Sequence, residues 1–350
     1  MANNLSSNIT RPLAKIFLEA FESSRVVTKT VNTQLLSGRF NPSTGSNVDF
    51  KRPHDYNTIR TAGGDISAST KSDIIAGKAT GTVQDYFTAA TEWSNIQQAL
   101  ELDQLDQILE PMARRLVTDL ELDLGLFMRK NTGLNYGARD TAVDAWSDVA
   151  GAGAMMDAVG VPMSDNKYYL MNPFTTTSLA SAQNGLNASD GLVRTAWEKA
   201  QISSNFGGMR ALTSNALSSY TSGSTTDRAG TLDGAPDATY VTAKDTMQQT
   251  LVIDALGTGT IVAGDQIQIA GVNRLNIATR QVMLDAAGAA VPWTGTVLST
   301  VTIAANAATI VVSGAAIYEA NGQYNTVDAA PADGAVVTIR GTAATVYQPN

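Results

Sequence analysis

The sequence contains no cysteine and a single histidine, His54, among 350 residues. Without cysteine there is no disulfide framework, no thiolate nucleophile and no zinc site of the cysteine type, and one histidine cannot build a multi-histidine metal centre. Catalysis would have to run on carboxylates, lysine, tyrosine or hydroxyls. Charge is also scarce: charged residues make up 16% of the chain and the formal net charge is -8, where soluble domains usually carry roughly 25% charged residues. An acidic chain with so few cations lacks the electrostatic footprint of nucleic-acid binding. Much of its surface must be Ala, Thr, Ser, Gly and Asn, which suits extensive contact with copies of itself. No apolar run approaches the ~18 residues of a membrane span, and the opening MANNLSSNITRP has neither a basic nor an apolar signal region. The length allows two or three domains with a sizeable core.

What is present changes character along the chain. Thr10 is a candidate N-cap, Arg11 and Pro12 open a helix, and Leu13, Ile16, Phe17 and Phe21 recur at helical spacing. RVVTKTV (25–31) and NVDFKRP (47–53) read as extended segments. The polar stretch 36–81 exceeds the ~12 to 15 residues of an ordinary structureless loop, so it is expected to be a protruding β-hairpin with a role of its own, or disordered. TVQDYFTAATEW (82–93) reads as a strand. Ile108, Leu109, Met112, Leu116, Leu120, Leu124 and Phe127 then step by three or four, predicting a long helix over 111–130 with Pro111 in its first turn, following a shorter helix. DAWSDVAGAGAMMDAVG predicts a helix led by Trp146, YYLMNP a short buried strand ended by Pro173, and GLVRTAWEKAQ a helix around Trp197. Residues 82–220 are therefore mixed α/β. SGSTTDRAGTLDGAPD (222–237) is linker-like, and TYVTA, TLVID, TIVAGDQIQIAGV, TVLSTVTIA, ATIVVSG and AVVTIRG follow as short strands of a small all-β barrel or sandwich.

Each candidate for chemistry has a plainer reading. His54, in KRPHDY, has neighbours Asp55 and Tyr56 but no triad context, and reads as a solvated loop residue. Asp103, Asp106 and Glu110 put carboxylates on one helix face, where they complement the dipole of a helix starting at Pro111 or serve a hard cation. Asp227, Asp233 and Asp237 lack calcium-loop spacing and read as turn residues. GAGAMM and GTGTIVAG lack the third glycine of a dinucleotide loop. The Gly207–Gly208 pair reads as a turn or a hinge. Arg39, Lys51, Arg52 and Arg60 form a sparse basic set in the long polar loop, either simply solvated or suited to docking on an acidic patch of a neighbouring copy. No cofactor or metal is called for.

The order of elements, from N-terminal helix through the long hairpin ending in GSNVDFKRP, the aromatic segment, the long helix and the YYLMNP region to the barrel with AGDQIQIAGV, resembles the major capsid proteins of tailed bacteriophages. It is most similar to short-tailed phage coat proteins with an extra insertion domain. The resemblance implies an α+β, Hong Kong-type capsid fold: an N-terminal arm at 1–31, an E-loop at 32–81, a P-domain at 82–139 with its spine helix at 111–130, and an A-domain at 140–221. An all-β insertion (I) domain is expected at 222–345. Relatives continue with a segment returning to the P- and A-domains, so 346–350 is expected to be the start of that return and the chain to be shorter than a full coat protein. The implied function is non-enzymatic self-assembly into pentamers and hexamers of an icosahedral procapsid and virion shell, formed in the bacterial cytoplasm. Scaffolding protein and portal are the implied partners, with DNA enclosed without specific binding. The E-loop would lie over a neighbouring subunit, giving Arg39, Lys51, Arg52 and Arg60 an intersubunit role. A nanocompartment shell protein of the encapsulin type and a glycan-binding, adhesive β-rich protein are the alternatives.

Overall fold

The computed structural model describes residues 6–31, 47–82, 87–90, 105–163, 166–185 and 190–348. Helix α1, Ser6–Ser24, packs along α2, Leu105–Asn131. The first starts earlier than expected, and the second is one continuous helix where a shorter helix was expected to precede Pro111. Ser and Asn upstream of Thr10 are themselves favoured helix starters, so α1 gains a turn and Pro12 falls inside it. Pro111 likewise lies inside α2. It removes one hydrogen bond from the ladder, which the long amphipathic pattern on both sides of it outweighs. From Leu109 on, the expected apolar line along α2 is only half-buried, and Phe127 is 63% exposed; among the described side chains of the helix the deepest are Ala113, Val117 and Glu121 at 0%, 1% and 3%.

The buried Glu121 explains why 25–31 is not a strand. Its carboxylate accepts the backbone N–H of Val26 and, at 2.8 Å, that of Val27. The chain there closes into a 3₁₀ turn, Val27–Lys29, with Val27 fully buried. Glu121→Ala leaves both donors unpaired, which should lower stability by about 2–3 kcal/mol and open the arm to trypsin at Arg25 and Lys29. A denaturation midpoint equal to that of the unsubstituted protein would show that α1–α2 packing alone holds the arm.

Strands β1, Asn47–Lys51, and β2, Lys78–Thr82, form an antiparallel ribbon in register from Asn47↔Thr82 to Lys51↔Lys78. Asp49 pairs with Lys78 across it at 2.9 Å. A hairpin is therefore present over 47–82, with 52–77 as its loop; residues 36–46 of the stretch expected to form one lie outside the described residues. Of the strand expected over 82–93, Thr82 ends β2 and residues 87–90 are irregular, while 83–86 and 91–93 lie outside the described residues.

A compact α/β unit follows: α3 (Trp146–Val159), β3 (Tyr168–Met171), α4 (Pro173–Gly185), α5 (Asp190–Lys199), β4 (Asn205–Phe206) and β5 (Met209–Thr213). β5 is central, parallel to β3 and antiparallel to β4. Val149, Tyr169, Met171, Leu179, Phe206 and Met209 form its core. Gly207 and Gly208, with φ of 58° and 80°, make the two-residue turn of the β4–β5 hairpin, where both positions need positive φ. Helix α4 escapes the sequence reading because its Thr/Ser-rich run has poor helix propensity. Its signal was Asn-Pro: Asn172 Oδ1 accepts the Thr175 N–H at 2.9 Å, and Pro173 takes the first helical position.

Strands β6 (Tyr220–Thr221) and β7 (Ala229–Leu232), the short helix α6 (Tyr240–Ala243), and strands β8 (Gln248–Asp254), β9 (Thr260–Ile261), β10 (Gln266–Asn273), β11 (Pro292–Val297), β12 (Val301–Thr302), β13 (Ala308–Ser313), β14 (Val336–Ile339) and β15 (Val346–Tyr347) complete the order. β10, β11, β13, β8, β7 and β14 close, in that spatial order, into an antiparallel barrel. Alternation sends Leu251 and Ile253, Ile267 and Ile269, Ile310 and Val312, and Val337 and Ile339 inward around Trp293, all at 1% exposure or less. Two expectations fail locally. TYVTA is helical, because the Asp237 carboxylate accepts the Thr239 N–H and the hydroxyls of Thr239 and Thr242 at 2.7–2.9 Å, fixing a turn. The linker-like 222–237 contains the barrel strand β7, whose pairing with β8 and β14 overrides the weak β-propensity of Ala and Gly.

Candidate functional site

The chain enters and leaves the barrel side by side. β6 and β15 pair antiparallel, Tyr220 opposite Tyr347. Their rings lie 6.2 Å apart and 24° from parallel. The Arg139 guanidinium sits 4.5 Å from the Tyr220 ring centre and 5.1 Å from that of Tyr347, and Arg129, near the end of α2, sits 5.0 Å from Tyr220. Such cation–π contacts contribute about 0.5–2 kcal/mol each, more when desolvated. The Tyr220 hydroxyl donates to the fully buried Asp265, which also accepts the N–H groups of Val262 at 2.8 Å and Gly223 at 3.1 Å and lies 3.6 Å from Arg228. Burial, and then the Asp265 charge, push the Tyr220 hydroxyl pKa up, so it stays a donor. The Tyr347 hydroxyl donates to Asp140, and this bond is the main reason that carboxyl is held below its usual range.

Beyond α2 the chain is pinned along the barrel wall. Ser313 Oγ donates to Asn131 O at 2.8 Å, Gln266 Nε2 to Asn135 Oδ1 at 2.7 Å, and Arg340 to Gly137 O. Arg274 donates to Gly133 O and, at 2.6 Å, to Thr294 O, while burial lowers its pKa to about 10. A Cβ on Gly133 would stand 2.8 Å from Gly314 Cα, so the two backbones touch as only glycines allow. A barrel loop reaches the α/β unit as well: Asn276 Nδ2 donates to Ala158 O at 2.7 Å and the Ile277 N–H to Val159 O at 2.9 Å, satisfying end carbonyls of α3.

The hairpin loop 52–77 is the second point of contact. Asp55 pairs with Arg280, and Asn57 Nδ2 donates to Asn321 O at 2.6 Å. Gln323 Nε2 donates to Asp73 O. Ile75 packs against the cluster of Tyr240, Ala243, Ala315, Ile317 and Tyr324. The Lys78 N–H donates to Asp245 at 3.1 Å. Between loop and barrel lies a cleft of ≈ 1170 Å³.

The described members of the basic set are not gathered into one site. Lys51 is exposed at the end of β1, opposite Lys78, and Arg60 is exposed on the loop. Arg52 is half-buried, its Nε 3.3 Å from Lys78 O and its side chain against Gly77. Arg39 lies outside the described residues. His54 is exposed on the same loop. Glu110 pairs with Arg114 one turn along α2; Asp106 lies in that helix, and Asp103 is outside the described residues. Among the described residues no three His, Cys, Asp or Glu side chains converge as a metal site. The contacts that do converge, Asp55 with Arg280 and Tyr220 with Asp265, join residues 225 and 45 positions apart, and no local motif marks them.

The sequence model of the family described as P22 coat protein, gene protein 5, matches residues 1–349. The major capsid protein of Acyrthosiphon pisum secondary endosymbiont phage 1 is 45% identical over 355 residues, an alignment covering 100% of this chain and 83% of that protein.

Proposed function

Because this chain belongs to the P22 coat protein family, a family of phage major capsid proteins, we propose that it self-assembles through pentamers and hexamers into an icosahedral shell enclosing double-stranded DNA. The observation that carries the proposal is the family match along residues 1–349. The Hong Kong-type division is part of the proposal: arm 1–31, E-loop 32–81, P-domain 82–139, A-domain 140–221 and I-domain 222–345. Adjacent entry and exit strands support the barrel as an inserted unit, since an insert must leave its host where it entered. The net charge of -8 suits a container that does not hold DNA tightly.

Scaffolding protein and portal are the partners this reading brings, and shells would be built in the bacterial cytoplasm. Exposed Lys51 and Arg60, with Arg39, are the cations proposed to meet a neighbouring subunit; Arg52 would contribute while also bracing the hairpin base. Electron microscopy of the protein expressed with its scaffolding protein tests the whole: closed regular shells are expected, and dispersed subunits would overturn it. Lys51→Glu with Arg60→Glu should yield fewer and less heat-resistant shells; unchanged shells would remove these residues from the contact.

A further inference from the structure

The loop 52–77 has one short 3₁₀ turn, Ala62–Gly64, and is largely exposed. It nonetheless lies on the barrel of its own chain along both legs. Asp55 and Asn57 hold the outgoing leg to Arg280 and Asn321; Asp73 and Ile75 hold the returning leg to Gln323 and the Tyr240–Tyr324 cluster. Tyr324 serves both legs, its hydroxyl accepting the Asp55 N–H and donating to Ile75 O, each at 3.4 Å. That hydroxyl is fixed from below, because the Tyr324 ring stacks on Tyr240 at 3.7 Å and 12°. Arg280 is fixed too, donating to Asn325 O at 2.7 Å. Gly77 closes the arrangement: an added Cβ would meet Tyr240 Oη at 2.8 Å and Lys244 O at 2.9 Å, so the backbone seats directly on α6 and the residue after it.

We propose that these contacts form an intramolecular latch by which the barrel orients the hairpin loop in the free subunit. Only 58–71, carrying exposed Ile59, Arg60 and Ile66, is then left to order when a neighbour docks. A loop with so little internal hydrogen bonding would otherwise lose its full conformational entropy at that step. The barrel thus acts as an internal jig for assembly. The Asp55–Arg280 pair is its adjustable part, since those side chains keep 44% and 23% of their exposure while the tyrosine stack is buried. This role rests on the reading of the chain as a shell subunit.

The absence of native cysteine allows a clean distance measurement. Nitroxide labels on Thr58→Cys and Ala320→Cys, both exposed and adjacent to the bonded Asn57 and Asn321, should give one narrow short-range distribution in unassembled subunits. Asp55→Asn with Arg280→Gln should broaden it and slow assembly, followed by light scattering, at least tenfold, whereas the exchange Asp55→Arg with Arg280→Asp should restore much of both. Far-UV circular dichroism confirms that each variant is folded. A broad distribution in the unsubstituted protein, or one indifferent to the paired substitutions, would overturn the latch even if shells form. Failure of the unsubstituted protein to form shells would overturn the shell reading, whatever the distances show.

Discussion

Trp293→Ala should be the most damaging single substitution in the barrel, lowering stability by about 3–5 kcal/mol. The side chain is fully buried at the centre of the cluster formed by the inward residues of all six barrel strands. Its Nε1–H donates to Gly314 O at 2.8 Å, and the far edge of its ring occupies the space a Cβ on Gly295 would need, with Cη2 2.6 Å from that point. Truncation leaves an indole-sized void, and a closed barrel cannot collapse into it without breaking its strand ladder. It also releases Gly314, whose backbone touches Gly133 beyond α2, so the loss should spread into the contact with the helix. A loss of this size takes a large share of the ~5–15 kcal/mol by which domains are stable. Urea unfolding followed by far-UV circular dichroism is the measurement. Trp293→Phe, which keeps most of the volume but not the donor, should lose less than half as much; an Ala variant within 1 kcal/mol of the unsubstituted protein would show that the void is filled by repacking.

Asp265→Ala should follow closely, at about 3–5 kcal/mol, because it strands partners in a buried site. Four groups face that carboxylate: the Tyr220 hydroxyl, the N–H groups of Gly223 and Val262, and the Arg228 guanidinium. With it gone, Arg228 loses its buried carboxylate and is left hydrogen-bonded to the carbonyl oxygens of Gly223, Ile339 and Arg340. The effect should be localised differently from that of Trp293. Hydrogen exchange should quicken first at β6 and β15, where the barrel joins the rest of the chain, while the amides of β8 and β13 stay slow. Tyr220→Phe removes one donor and should lose only about 1 kcal/mol. Equal exchange rates across the barrel in the Asp265→Ala protein would mean that the junction and barrel open as one unit.

Much of the barrel was legible because its strands obey a strict local rule. In QQTLVID and ATIVVS β-branched and aliphatic residues alternate, and burial follows that alternation. The long helix was legible for the same reason at the helical period. Reading failed where a distant partner decided. Val26 and Val27 are strong strand formers, but a carboxylate 94–95 positions away takes their N–H groups. AGTL has almost no strand signal and is a barrel strand because β8 and β14 offer edges on both sides. Differences in β-propensity span only ~1 kcal/mol, so one or two such contacts reverse them. The basic set was visible as composition, yet nothing in its spacing showed that Arg52 would turn back onto its own hairpin while Lys51 and Arg60 remained exposed.

The sequence by itself determined which chemistries are absent, where period-two and helical patterns lie, and a resemblance that the family match over residues 1–349 bears out. Those are local or compositional properties, carried by each residue independently of its partners. Only the tertiary structure decided that the barrel closes, that Tyr220 lies beside Tyr347, and that the loop 52–77 rests on Arg280, Asn321 and Tyr324. Each of these joins segments far apart in the chain. Such pairings form only when burial of the whole core offsets the entropy of bringing distant segments together, and no short stretch of sequence carries that balance.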